Sequence, residues 1–396
     1  MSTTAAAPRR TVSKAPLTSR GERTAILLVA LAAAVVPLVV SVQNLTLSSQ
    51  VSPGLALASA VVWTLYTIPF LVVIHRIDFF EHEPWPSLVA ALVWGGLIAA
   101  GMALLANDAI FELVTVTRGV LVAQEWGAAI AGPTTEEIAK GVGVLLILLV
   151  SPRRPRTALD GFVIGAVVGL GFQVVENFGY TMNVAALEDD PGAGPLVEMF
   201  VIRGLIAGPF SHAVYTGIVG LGLGYLVTAT SRSWVRRVSV AVLAFAGAYL
   251  AHWFWNSPLL MADLGVLALL AKGALTLGFL IVGLRIARRR DAEFFSVGLT
   301  QVPTWLCTPA EQEALASGRT RRRARKNARR IGGRAAGRET GRLQRAQADL
   351  AVAVRTGDQA AADNAIARIA AARSLLPPPE DPTTTTWAPP QGPPAY

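Results

Sequence analysis

The sequence predicts an all-α membrane protein: a polytopic bundle of about eight transmembrane helices, followed by a cytoplasmic tail that is mostly helical or disordered. Three observations predict it. Hydrophobic residues make up 53% of the 396 residues and charged ones only 15%, whereas a soluble domain carries roughly 25% charge. Apolar runs of about 20 residues, the length that crosses a bilayer, recur from residue 24 to residue 284. The remaining charges are sorted along the chain: residues 1–284 hold 16 Lys and Arg against 16 Asp and Glu, and residues 285–396 hold 19 against 10. The net charge of +9 therefore belongs to the tail. A soluble globular enzyme is excluded, and so is disorder over the whole length, because a disordered chain is poor in apolar residues. The single cysteine, Cys307, excludes an internal disulfide framework and a cysteine-based metal cluster.

The spans read at 24–42, 54–74, 87–106, 127–150, 160–180, 205–228, 236–256 and 262–284. The first is too long for the apolar part of a signal peptide and lacks a small-residue cleavage site, so it reads as an uncleaved helix. Arg9 and Arg10 lie too far ahead of it to act as a twin-arginine export signal. Lys and Arg stay on the cytoplasmic side, and here they alternate. The N-terminal segment has Arg9, Arg10, Lys14, Arg20 and Arg23, and every second loop then carries Arg76, then Arg153, Arg154 and Arg156, then Arg232, Arg236 and Arg237, with Arg288 to Arg290 at the end. The loops at 43–53, 107–126 and 181–204 are neutral or acidic. This pattern predicts a plasma-membrane protein with both termini cytoplasmic. It also predicts four segments: a cytoplasmic N-terminal segment at 1–23, a membrane domain at 24–286, a basic tail with helices at 287–376, and a Pro/Thr-rich disordered end at 377–396.

Ionisable side chains at membrane depth are costly, by at least ~2.5 kcal/mol for Asp, Lys or Arg at a helix centre, so each one is a functional candidate. Five stand out. Glu136 and Glu137 lie in the fourth span, in PTTEEIAK, with Lys140 one turn beyond Glu136. Adjacent carboxylates diverge by about 100° around a helix, so one can face a cavity while the other holds Lys140. The fifth span carries Glu176 on a stripe with Phe172 and Tyr180, the sixth carries His212 with Thr216, and the seventh carries His252 with Asn256. Counted from the cytoplasmic helix ends, Glu136 is 14 residues in and Glu176, His212 and His252 are each 16 in. At ~1.5 Å per residue that is roughly 21–24 Å, a single layer in the half of the bilayer nearer the outer face.

Carboxylates and imidazoles at one depth admit two chemistries. They suit zinc at an open site, with a carboxylate left to activate bound water. They equally suit a metal-free site in which a Glu is the general base on water and His and Asn donate to the developing oxyanion. Both are acyl hydrolysis, and the HExxH zinc signature is absent. A non-enzymatic ion or proton pathway built on the same carboxylates is the competing reading.

The segments EEIAK (136–140), DGFVIGAVVGLGFQVVENFGY (160–180), PFSHAVYTGIVGLGLG (209–224) and AHWFWNS (251–257) resemble the PrsW family of intramembrane proteases, related to the CAAX prenyl protease and bacteriocin-processing superfamily. An acidic EHEPWP segment (81–86) resembles the loop before that core. The resemblance implies a membrane peptidase in which Glu136 and Glu137 activate water and Glu176, His212, His252 and Asn256 complete the site, with Lys140, Phe172, Tyr180 and Thr216 in support. In its zinc form the implied ligands are Glu176, His212 and His252. The wider superfamily has Arg one position beyond Lys140 and His in place of Glu176, so this chain is closer to the PrsW branch. The implied substrate is a membrane-anchored protein, such as an anti-sigma factor or similar regulator.

The basic stretch RTRRRARKNARRIGGRAAGRETGRLQR (319–345) predicts contact with anionic lipid, worth ~1 kcal/mol per basic residue near the surface. Without an RNA- or DNA-binding signature, nucleic acid is the weaker reading. Residues 341–356 and 359–375 carry helical periodicity around Thr356-Gly357-Asp358, with Asp358 as a cap for the second helix.

Overall fold

The computed structural model describes residues 18–77, 83–151, 155–230 and 232–376. The expectations for Arg9, Arg10 and Lys14, for Arg153 and Arg154, for the first two residues of EHEPWP and for the tail from Pro377 fall outside them. Among the described residues the regular elements are all helical. The chain divides into two compact units, one within Ala15–Arg288 and the other within Arg289–Tyr396.

Eight long helices run through the described residues as far as Thr300: α1 (Arg20–Ser49), α2 (Pro53–Ile77), α3 (Trp85–Arg118), α4 (Val120–Val150), α5 (Ala158–Ala185), α6 (Gly194–Thr228), α7 (Trp234–Asn256) and α8 (Val266–Thr300). Seven are long and apolar enough to cross a membrane. The exception is α4, in which any 18-residue window holds at least three of Glu125, Glu136, Glu137 and Lys140. The helix carrying the predicted chemistry is the one whose composition looks least like a span.

Two expected loops are largely helix. The stretch 107–126 continues α3 to Arg118 and starts α4 at Val120, the two joined at Gly119, whose φ of +91° suits glycine. Asn107, Asp108 and Glu112 interrupt hydropathy there without interrupting the helix. The stretch 181–204 extends α5 to Ala185 and begins α6 at Gly194. The sixth span is also not one uniform helix. It winds as a π-helix over Phe200–Ala207, tightens to a 3-10 turn over Gly208–Phe210, and breaks at Ser211 before an α-helix from His212 to Thr228. Pro209, which has no N–H to donate, sits in the tight turn.

Helices α5 and α6 form the centre of the larger unit and share its most extensive helix contact. Lipid tails are as apolar as leucine, so close packing rather than the hydrophobic effect must bring such helices together. Glycine makes that packing possible: a Cβ added at Gly165 would strike the Thr216 carbonyl oxygen, and one at Gly169 the His212 carbonyl oxygen. The start of α5 is fixed by a capping box, in which Asp160 Oδ2 accepts from the backbone N–H of Thr157 at 3.0 Å and of Arg156 at 2.6 Å. Trp63 of α2 is fully buried and donates to Thr181 Oγ1 of α5 at 3.1 Å, which ties α2 to the same centre.

In the second unit, α9 (Pro309–Leu315), α10 (Gly318–Thr356) and α11 (Gln359–Ser374) build a small helical body. The basic stretch is helical from Gly318, apart from a kink at Gly332 and Gly333. Gly357, with φ of +70°, ends α10, and Asp358 caps α11 by accepting from Ala361 N. Leu343, Leu350, Ala351, Ala365 and Ile369 are buried, and Arg373 reaches Glu311 Oε2 at 2.7 Å.

Candidate active site

Adjacent positions on α4 send Glu136 and Glu137 into different surroundings. Glu137 is completely buried. Its Oε1 lies 2.6 Å from Lys140 Nζ and 3.1 Å from His252 Nδ1, and its Oε2 accepts from Thr216 Oγ1 at 3.2 Å. Glu136 is held more loosely: its Oε2 is 3.4 Å from Lys140 Nζ, 3.7 Å from His212 Nδ1 and 3.9 Å from His252 Nε2, while Oε1 is 3.4 Å from Asn107 Nδ2. Glu136 lines a cavity of about 220 Å³, and Glu137 does not. The divergence read from helix geometry thus separates a cavity-facing carboxylate from one engaged with the protein.

His212 owes its position to the break at Ser211, which makes it the first residue of the α-helical part of α6. Its Nδ1 is 2.9 Å from Lys140 Nζ and its Nε2 is 2.8 Å from Glu176 Oε2. An ammonium has only donors, so Nδ1 accepts and Nε2 carries the proton it gives to Glu176. In His252, Nδ1 faces the Glu137 carboxylate and Nε2 faces Glu136. The two rings stand 5.1 Å apart at 80°. Tyr215 stacks on His252 at 4.8 Å, and Phe172 packs 4.9 Å from His212 while its face lies 4.2 Å from Lys140 Nζ.

Two imidazoles and two carboxylates, all buried, thus offer ligand atoms within 4.8 Å of one another: Glu136, Glu137, His212 and His252. This donor set fits zinc chemistry. His212 also gives its other ring nitrogen to a carboxylate outside the group, that of Glu176, the arrangement that fixes tautomer and ring direction in metal sites. Glu176 stands outside the group. It pairs with Arg203 and His212 Nε2, so it faces the far side of the imidazole from Glu136.

Asn256 lines the cavity and donates to the Ala128 carbonyl at 3.2 Å. Tyr180 lines it as well, beneath the Arg203 guanidinium at 3.8 Å. Lys140 lies nearer Glu137 than Glu136, so the expected i, i+4 pair is the longer of its two contacts.

Three residues here were not among the sequence candidates. Arg203 was counted as a loop charge, yet its Nε donates to Asn177 Oδ1 at 2.8 Å and its Nη2 pairs with Glu176. Asn107, at the end of an apolar run, contacts Glu136 and accepts from Thr135 Oγ1. Lys272 of α8 donates to the carbonyls of Ser257 at 2.6 Å and Trp255 at 3.3 Å, which cap the end of α7 beside Asn256. The signal for Lys272 was present, since it is a lysine inside an apolar run. Arg203 and Asn107 sit at run ends, where composition alone does not set them apart.

Residues 83–284 match the model of the PrsW family intramembrane metalloprotease. No match is found among curated proteins or solved structures.

Proposed function

The chain belongs to the PrsW family of intramembrane metalloproteases and is a membrane-embedded peptidase, and from that premise we propose that Glu136 activates the hydrolytic water. The observation that carries this reading is the placing of Glu136 on the cavity, with His212 Nδ1 and His252 Nε2 turned toward it. Water enters the cavity and gives a proton to Glu136 as its oxygen attacks the carbonyl carbon of a peptide bond. The tetrahedral intermediate collapses, the C–N bond breaks, and Glu136 returns the proton to the leaving amine. Such a base contributes about 10²–10⁴ in rate. Glu137 holds Lys140 and His252 in place, Glu176 orients His212, and Asn256 stands beside His252 as a donor to the oxyanion. In the zinc form Glu137, His212 and His252 would hold the ion and leave Glu136 free as the base; zinc when bound lowers the pKa of water and polarises the scissile carbonyl.

A metal-free glutamic mechanism is the second reading, and Lys140 is what favours it. Its ammonium already lies within 3.4 Å of both glutamates and 2.9 Å of His212 Nδ1, supplying the countercharge a metal would otherwise bring. Elemental analysis of the purified protein, with cleavage of a reconstituted single-span substrate measured with and without chelator, separates the two. Stoichiometric zinc and chelator-sensitive cleavage support the metal form, and full activity without metal removes it. If Glu136→Gln or His212→Ala cleaves as fast as wild type, the assignment of these residues is wrong.

The substrate in this proposal is a membrane-anchored regulator, such as an anti-sigma factor, cut near the outer face of the plasma membrane. The alternation of Arg76, Arg156 and Arg232 to Arg237 with acidic loops supports cytoplasmic termini. In the second unit Arg319, Arg322, Arg323, Lys326, Arg329 and Arg330 are exposed on α10, and we assign them to anionic lipid.

A further inference from the structure

A peptide bond inside a transmembrane helix is shielded by its own turn, so a substrate must unwind before water reaches it. Each carbonyl freed by unwinding then lacks a partner in a region with no bulk water to supply one. Donors for those carbonyls have to come from the cavity wall, and most of the cavity's donors are committed. Lys140 holds the glutamates and His212, His212 Nε2 gives its proton to Glu176, and Asn256 spends one N–H on Ala128 and keeps the other for the oxyanion.

Asn177 is different. It lines the cavity, is 1% exposed, and its Oδ1 accepts from Arg203 Nε at 2.8 Å. That bond fixes which end of the amide is oxygen, because a guanidinium has only donors. Its Nδ2 is buried and has no acceptor. A buried donor without a partner is rare and calls for a reason. Arg203 supplies a second observation. It has five N–H donors, with Nε committed to Asn177 and Nη2 to Glu176, and its guanidinium carbon lies 3.8 Å over the Tyr180 ring in the same cavity wall. It is carried on the π-wound turn Phe200–Ala207, a winding that recurs at functional sites.

We propose that Asn177 Nδ2 and the remaining Arg203 donors receive a main-chain carbonyl of the substrate and hold the unwound peptide in the cavity that Glu136 lines. The inference rests on the peptidase reading and names how that site grips its substrate. The ligand is a neutral amide carbonyl rather than a carboxylate, because Glu176 already balances the charge of Arg203. Neutralising Glu176 would require only the Arg203 charge and would leave the Asn177 amide without a purpose.

The test uses the full-length protein in liposomes, in a Glu136→Gln background so that nothing is cleaved, and a labelled single-span peptide that the wild type cleaves. Asn177→Asp keeps an acceptor for Arg203 Nε and removes the amide donor. Arg203→Lys keeps the charge for Glu176 and removes the fork, and serves as the second variant if the first fails to fold. Each is expected to weaken binding about tenfold, the loss of one hydrogen bond to a buried group. A peptide with one amide replaced by an ester at the unwound position, which makes its carbonyl a poorer acceptor, weakens binding to the background protein but adds nothing in Asn177→Asp. Unchanged affinity in both variants, or ester and variant effects that simply add, overturns the inference while leaving the peptidase reading intact. If the wild type cleaves no single-span peptide, the peptidase reading itself fails.

Discussion

Replacing Glu137 by glutamine tests whether the two adjacent glutamates divide the work. Glu137 is buried with Lys140 at 2.6 Å, His252 Nδ1 at 3.1 Å and Thr216 at 3.2 Å, whereas Glu136 comes no closer than 3.4 Å to Lys140. Glutamine preserves the shape and removes the charge, leaving a buried ammonium with only its longer carboxylate contact. Removing one partner of a buried ion pair costs about 3–5 kcal/mol. The hydrogen bonds glutamine retains place the loss at the lower end, about 3 kcal/mol. In a domain of this size each kcal/mol moves the unfolding midpoint by roughly 2–4 °C, so Glu137→Gln should unfold about 6–12 °C lower. Glu136→Gln keeps the 2.6 Å pair and should stay within about 2 °C of wild type, while losing at least ~100-fold in cleavage rate. Thermal unfolding of both detergent-purified variants by tryptophan fluorescence, beside cleavage of a reconstituted substrate, reads the two effects separately. Equal midpoints for the two variants would refute the division of roles.

Gly169→Ala should lower the cleavage rate about a hundredfold, because its Cβ meets the His212 carbonyl and moves the imidazole. Gly179→Ala, with open space around it, is the control, and equal rates for the two would show that the α5–α6 seam does not set the site. Lys272→Met strips the capped carbonyls of Ser257 and Trp255 of their donor and should cost about 1–3 kcal/mol, read as a lowered unfolding midpoint. An unchanged midpoint would mean that the end of α7 needs no cap. Cys307 is fully buried and burial, with Glu311 adding to it, pushes its thiol up to about 12. At pH 8 about one thiol in ten thousand is ionised, so maleimide should label the protein only after unfolding. Labelling of the native protein at the rate of a free cysteine would contradict that burial.

The helical class and the number of long helices were legible because each apolar run reports its own composition. Glu136, Glu137, His212 and His252 were legible for the same reason, as ionisable groups where such groups are costly. Partnership was harder to read. Nothing in the spacing of Glu176 says that Arg203, 27 residues on, will claim it, since that contact depends on a change of winding that leaves no mark on hydropathy. The expected ligand set of Glu176, His212 and His252 had no way to weigh which nitrogen each imidazole would turn toward which carboxylate. That choice follows from Lys140 and Glu176 on either side of His212 and from Glu137 beside His252. Helix ends were misjudged wherever polar residues such as Asn107 and Asp108 continued a helix beyond its apolar part.

The wide sequence separation of the cavity's walls bears on how such a protein is made. Glu136 leaves the ribosome 120 residues before Asn256, and at about 5–20 residues per second the glutamates wait many seconds for His252 and Asn256 to be threaded into the bilayer. Until α7 arrives, Glu137 lacks its histidine partner and the cavity lacks one wall. A site assembled in this order is complete only after α7 has been made. A chain that stops before His252 lacks one imidazole of the site.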